Sequence, residues 1–274
     1  MIRLSCNMVM DRKPYVAGRF YPDDPQKLGS MLESFFEVAD TKAAVPSIIV
    51  PHAGYMYSGK VAGAVYSKIA VPEIVVIIGP NHTGLGAPIS IWPDGSWETP
   101  LGNVPVDNGT IMALLNNSRH AKPDTQAHLN EHSIEVQIPF LQYCKKGFKI
   151  VPIAMGDYSI EAIEDLANAL DKATSGKEVL FVASSDFSHY EPEYTAKARD
   201  RMAIDEIKKL DWMAMLRVVA EKEITMCGAG PIAVATELAK RRGATSGKLL
   251  AYSNSGVMSH DFSNVVTYAG MAFR

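Results

Sequence analysis

Residues 73–84 read EIVVIIGPNHTG. Ile74 to Ile78 are five β-branched residues in a row, cut off by glycine and proline. A strand wetted on one face alternates apolar and polar residues. An unbroken Val/Ile run marks a strand buried on both faces, inside a sheet that helices cover on each side. The same shape recurs in SIIV (47–50), FKIVPIAMG (148–156) and EVLFVASSD (178–186). Helical patterns lie between these runs: GKVAGAVYSKIA (59–70), NGTIMALLNN (108–117), EHSIEVQIPFLQYC (131–144, where Pro139 shortens or kinks the helix) and SIEAIEDLANALDKAT (159–174). Helices at 196–210, 212–223 and 230–243 follow, and then strands at 248–256 and 264–274. Residues 86–107 carry Pro-Asp-Gly between short apolar pieces and predict a β-hairpin excursion. The fold class is α/β: a three-layer α/β/α sandwich around a mixed, mostly parallel sheet. One domain is expected over 11–274, behind a loose extension at 1–10.

Bulk properties exclude several classes. The chain has 274 residues, 47% hydrophobic, with 27 basic against 30 acidic side chains. No basic stretch tracks a phosphate backbone, so nucleic acid is not an expected partner. No apolar run reaches the roughly 18–20 residues that cross a bilayer, and the opening MIRLSCNMVM is no secretory signal. The expected location is cytoplasmic. Three cysteines without a CxxC pair argue against a disulfide framework or a zinc finger. Dinucleotide, P-loop and nucleophile-elbow glycine motifs are absent.

Several apolar strands run into a polar or glycine-rich tip: PHAGY after 50, GPNHTG after 78, SSDFSHY after 183, SNSG after 252. Open α/β sheets bind ligands beyond the carboxyl ends of their strands. His52, His82, Asp186, His189 and Asn254 are therefore candidates for one pocket. A lone strand-tip histidine is more often structural. Two of them at the ends of consecutive strands, about 4.8 Å apart as parallel neighbours, can share an ion. Cys227 sits in TMCGAGP just before a helix expected near Pro231, where the positive end of the helix dipole favours thiolate; burial as a small hydrophobe is the alternative. Asp186 and His189 are three apart, so that a turn brings the carboxylate beside the imidazole; an N-cap with a bystander histidine is the other reading. His132 and Glu135 share one face of the expected helix, as an acid/base pair or as an exposed ion pair. His120, His128 and His260 fall in polar loops, and Cys144 reads as structural.

Together, RKPYVAGRFYP (12–22), VPHAGYMYSG (50–59), GPNHTG (79–84), ETPLGNVPVD (98–107), EHSIEVQIPF (131–140), SSDFSHY (184–190), CGAGP (227–231) and YSNSG (252–256) resemble the Memo family. That family is similar in fold to class III extradiol dioxygenases, which are non-haem iron enzymes. The resemblance implies metal ligands at His52, His82 and Cys227, with His189 and Asp186 as the proton-moving pair. His132, Glu135, Tyr55, Phe20, Asn81 and Asn254 are expected to line or support the pocket. Cys227 stands where the dioxygenases carry a carboxylate. A thiolate keeps iron as the first expectation and improves the competition from copper and zinc. The expected function is a metal-dependent redox or oxygenase-like protein acting on an unknown small molecule. The resemblance also implies a functional link to a radical-SAM protein. The alternative is a non-catalytic module that binds a peptide or small anion in the same pocket, as for the family's signalling effectors. A Cys–His hydrolase built on Cys227 is a third reading.

Overall fold

The computed structural model describes residues 11–38 and 41–274. The expected loose extension at 1–10 and Cys6 lie outside the described residues. The strands are β1 (Ser47–Val50), β2 (Ile74–Pro80), β3 (Ile89–Ile91), β4 (Ser96–Thr99), β5 (Gly102–Pro105), β6 (Ala121–Pro123), β7 (Lys149–Met155), β8 (Val179–Ser184), β9 (His189–Glu191), β10 (Gly247–Asn254) and β11 (Val265–Phe273). The helices are α1 (Pro25–Glu33), α2 (Tyr55–Tyr66), α3 (Asn108–Asn117), α4 (Gln126–Leu129), α5 (Ile138–Cys144), α6 (Ile160–Ala173), α7 (Glu193–Lys208), α8 (Trp212–Glu221), α9 (Ala229–Arg241) and α10 (Gly256–Ser259).

The main sheet runs β10-β11-β1-β8-β2-β7-β3-β6, with β9 on β11. Its centre, β1-β8-β2-β7, is parallel, and the four strands are almost wholly buried, as their Val/Ile runs require. β11 is antiparallel to both β1 and β10, and β3 to β7, so the sheet is mixed. Helix α2 packs on β1, β10 and β11, while α9 crosses β8, β1 and β2 between α6 and α8. The sandwich is therefore the expected one.

Four local expectations are corrected. His52 and His82 are not on neighbouring strands, because β8 lies between β1 and β2. The hairpin at 96–105 exists, but Pro100–Leu101 turns it; Pro93–Gly95 instead leads out of β3. Helix α2 starts at Tyr55 rather than Gly59, and the Tyr55 amide donates to the Phe20 carbonyl (2.8 Å). Finally, 131–144 is not one helix. Glu135–Gln137 form a 3₁₀ turn, and Pro139 sits in the first turn of α5, where its missing N–H does no harm. Gly79 lets the 131–134 segment lie directly on β2, since a Cβ there would come within 2.3 Å of Ser133 Oγ.

The 3₁₀ turn at Glu135–Gln137 carries the principal buried ion pair. Glu135 accepts from Arg12 Nη1, Tyr15 N (2.8 Å), Val16 N (2.9 Å) and Tyr21 Oη (2.7 Å). Arg12 also donates Nε to the His128 carbonyl (3.0 Å) and Nη2 to that of Glu131 (2.6 Å), and its guanidinium covers Trp97. Residues 12–21 form an arch clamped to the domain by these groups. Removing one partner of a buried pair leaves the other charge uncompensated, at about 3–5 kcal/mol. Arg12→Met and Glu135→Gln should each lower unfolding free energy by that order in urea titrations. The double variant should lose clearly less than the sum; strict additivity would show that the two side chains do not act as a pair.

Candidate functional site

Three strand tips converge. Beyond β1 comes His52, beyond β2 His82, and beyond β8 Ser185 and Asp186. The 131–133 loop adds His132. The His52 and His82 rings are 5.2 Å apart between centroids, His52 and His132 5.3 Å, His82 and His132 4.7 Å. One ring nitrogen from each of His52, His82 and His132 falls within 4.8 Å of the other two. The imidazoles thus meet over the end of β8, whose small Ser184 leaves them room.

Hydrogen bonds assign the His52 protons. Ser184 Oγ donates to the Ser133 carbonyl (2.6 Å) and accepts from Gln137 Nε2 (2.9 Å). Its one proton is committed, so the 3.0 Å contact to His52 is an Nδ1–H donated by the ring. His52 Nε2 is then a free lone pair. Burial, and after it the neighbouring His82, hold the His52 pKa down to about 3, so the ring stays neutral.

Glu131 performs the matching task for His82. This fully buried carboxylate accepts from His82 N (2.6 Å), His132 N (2.8 Å) and Ser133 N (2.8 Å). It also accepts His82 Nδ1–H (2.9 Å), which turns Nε2 of that ring outward as an acceptor. Burial alone would raise the Glu131 pKa; the His82 hydrogen bond and the His82 and His132 charges outweigh it and hold it at about 2. Burial alone would depress His82, and the same pairing outweighs it, leaving that pKa above the ordinary value. Burial and His52 hold His132 at about 4. Glu131 was not among the sequence candidates. Its only signal was a carboxylate beside a histidine in a segment that reads as helix.

Cys227 touches this cluster at one edge. Its Sγ lies 3.2 Å from His52 Nε2 and 3.6 Å from the Asp186 carbonyl. The turn is closely held: Gly228 N donates to Ser185 Oγ (3.0 Å) and Tyr158 Oη to the Cys227 carbonyl (2.7 Å). A Cβ on Gly228 would come within 2.5 Å of Ser185. Helix α9 begins at Ala229, two residues beyond Cys227, yet the thiolate expected from the dipole does not form by itself. Burial, and then the Asp186 carboxylate, push the thiol pKa well above its usual range. A raised pKa favours the thiol, whose S–H has two acceptors in reach, the Asp186 carbonyl and the His52 Nε2 lone pair.

The other candidates divide. Asp186 is buried and accepts the His52 amide (2.8 Å); burial lifts its pKa. His189 is held by the Thr225 carbonyl at Nδ1 (2.8 Å), not by Asp186, so the expected carboxylate–imidazole hydrogen bond is replaced by a backbone one. Phe20 walls the cluster, 4.9 Å from the His132 ring. Asn81 folds the 81–85 loop, accepting from Thr83 N (3.2 Å) and Gly84 N (3.2 Å) and donating to the Leu85 carbonyl (2.8 Å). Three expectations fail. Tyr55 is core: its hydroxyl donates to the Val136 carbonyl (2.7 Å) and its ring packs on Phe140. Glu135 faces Arg12 instead of pairing with His132, because it opens a 3₁₀ turn rather than continuing an α-helix from His132. Asn254 is engaged by Glu193 (2.8 Å) and Gly256 N (2.9 Å), away from the imidazoles. His128 is not in a polar loop either. It is fully buried in α4 between Trp92 and Trp97, with Nδ1 lacking a partner among the described residues.

Known proteins are similar to this chain over nearly its whole length. A family profile described as "Memo-like protein" matches residues 12–272. A MEMO1 family protein of Methanopyrus kandleri is 43% identical over 286 residues, covering 97% of this chain and 99% of that one. Another, from Aquifex aeolicus, is 44% identical, covering 96% and 98%. Among solved structures, an uncharacterized protein of Escherichia coli K12 shares the fold at a TM-score of 0.55 and 12% identity, over 83% of this chain and 99% of that one.

The buried neutral histidines give a pH dependence. The folded pKa values of His52, His128 and His132, about 3, 4 and 4, lie below the unfolded value near 6.5. Between those limits the unfolded chain binds more protons, so stability is complete above about pH 6.5 and falls as pH drops toward 4. The Glu131 contribution erodes only below about pH 4.5, and that of His82 runs the other way, fading as pH rises through its elevated folded pKa. Chelator-treated protein should lose urea stability between pH 6.5 and 4.5. His128→Gln should flatten that slope by up to about 1.4 kcal/mol per pH unit. A slope unchanged by His128→Gln would show that the ring is not held neutral.

Proposed function

Because this chain belongs to the Memo-like protein family, we propose that its imidazole cluster holds a redox-capable transition metal, iron before copper, in an oxygenase-like catalyst; zinc, which has no redox chemistry, would compete for the same donors without supporting that activity. One observation carries this reading: three histidines offer nitrogens within 4.8 Å of one another, and two of them have their protons turned away by Ser184 and Glu131. Metal-binding histidines characteristically donate their other N–H to a carboxylate or a fixed oxygen. Metal–nitrogen bonds of about 2.0–2.1 Å need only sub-ångström closure from here.

The donor set fits such an ion. His52, His82 and His132 would be the nitrogen donors, since only their ring nitrogens fall within 4.8 Å of one another among the described residues; Cys227, 3.2 Å from His52 Nε2 but outside that group, would have to shift toward the imidazoles to add its sulfur. The resemblance names His52, His82 and Cys227. The geometry adds His132 to them and supports Glu131 as the carboxylate that holds two of the rings. A bound metal would polarise a ligand oxygen and exchange electrons with it. It would also turn Cys227 from thiol to thiolate, since a coordinating thiol is deprotonated. Asp186 fixes the His52 backbone at the floor of the site. His189, with Nδ1–H on the Thr225 carbonyl, would present Nε2 as a proton acceptor toward the ligand. Phe20 packs against one side of His132.

Anaerobic titration with Fe(II) and Cu(I) tests the reading. His82→Ala, His132→Ala and Cys227→Ser should each weaken binding about 100-fold or more, and Glu131→Gln about 10–100-fold. Unchanged affinity in His82→Ala and Cys227→Ser would defeat it. Metal-free purified protein that binds small anions equally well after His52→Ala would establish the non-catalytic module instead.

A further inference from the structure

A cavity adjoins the cluster at Phe20. It measures about 400 Å³ and is lined by the turn 18–22, by Met31 of α1, and by Gly54, Met56 and Tyr57 at the start of α2. Pockets of about 300–1,000 Å³ that are mainly apolar, with few polar groups, are the usual size for small-molecule ligands. Phe20 belongs to both places, since it lines the cavity and its ring lies 4.9 Å from His132.

The lining has a definite chemistry. Phe20, Tyr21 and Tyr57 offer flat apolar faces, and Met31 and Met56 are adaptable thioethers. Among the described residues, no acidic side chain lines the cavity, and its one cation is Arg19. That guanidinium is stacked 4.7 Å over Tyr15 and donates Nη2 to the Tyr15 carbonyl (2.7 Å). Among the described residues it has no ion-pair partner, and the nearby Asp23 carboxylate lies against Gly18. An exposed arginine fixed by stacking, with donors to spare, suits a carboxylate.

The turn bearing Arg19 and Phe20 is also rigid. Buried Glu135 holds it at Tyr15 N, Val16 N and Tyr21 Oη, and Gly18 N donates to the Tyr21 carbonyl (2.7 Å). A buried carboxylate with four protein donors holds this surface turn in place, which lowers the ordering cost of binding there. We infer that the cleft between residues 18–22 and the start of α2 binds a small planar carboxylate, its flat body on Phe20, Tyr57 and the two methionines and its charge on Arg19. This site needs no metal, so it stands or falls separately from the metal reading.

The test is equilibrium binding of 2-naphthoate to chelator-treated full-length protein, with neutral 2-naphthamide as the control of equal shape. Saturable binding is expected, with the amide about tenfold weaker or more, the worth of one charge-assisted hydrogen bond. Arg19→Gln should erase that preference while leaving amide binding in place. Met56→Trp, at an exposed position, should fill the cleft and weaken both ligands, with an unaltered circular dichroism spectrum. Absence of saturable naphthoate binding, equal affinity for acid and amide, or affinity unchanged in both variants would overturn the assignment.

Discussion

A buried carboxylate must be surrounded by donors, and Glu131 obtains its donors from the segments that build the site. It ties the amide and ring of His82 to the amides of His132 and Ser133. Two of the three imidazoles are thereby set by one side chain. The third is reached through Ser133, whose carbonyl takes the Ser184 proton and so obliges Ser184 to accept from His52. The orientation of the whole cluster follows from satisfying one charge and one hydroxyl in a dry place.

The segment 131–137 does this because it is not a continuous α-helix: loop and turn residues lead into a single 3₁₀ turn at Glu135–Gln137. Glu131, Ser133 and Gln137 bind the tips of β2, β8 and β1, while Glu135 turns to the opposite side and clamps the N-terminal arch. In a continuous helix, residues three and four apart would share a face, as expected for His132 and Glu135. The irregular backbone instead sends the two carboxylates of one short segment to two different tasks. One seats the histidines and the other holds Phe20 and Arg19 beside them. A single stretch of chain therefore couples the imidazole cluster to the cleft next to it.

The legible parts of the fold were those governed by burial. Ile74–Ile78 and the runs at 47–50, 150–155 and 179–183 could only be inner strands, and they are. Their polar tips pointed to a common edge, and His52, His82, Asp186 and Cys227 do come together there. Strand order was not legible, since nothing local to β1 or β2 says that β8 intervenes. Tyr55 and Asn254 were misplaced for a related reason. A polar or aromatic residue near a strand tip points into the pocket or into the core according to what packs on it, and those partners are distant in sequence.

Sequence by itself determined the layered α/β architecture and the residue types at its ligand-binding edge, because the 2.0 and 3.6 periodicities of buried strands and helices are local properties. Only the tertiary structure decided which groups act together. It moved His132 into the cluster, put Glu131 behind His82, replaced Asp186 by the Thr225 carbonyl at His189, and kept Cys227 a thiol beside an uncharged His52. Proton positions and charge states depend on desolvation and on partners tens of residues away. Those quantities exist only once the chain has closed around them.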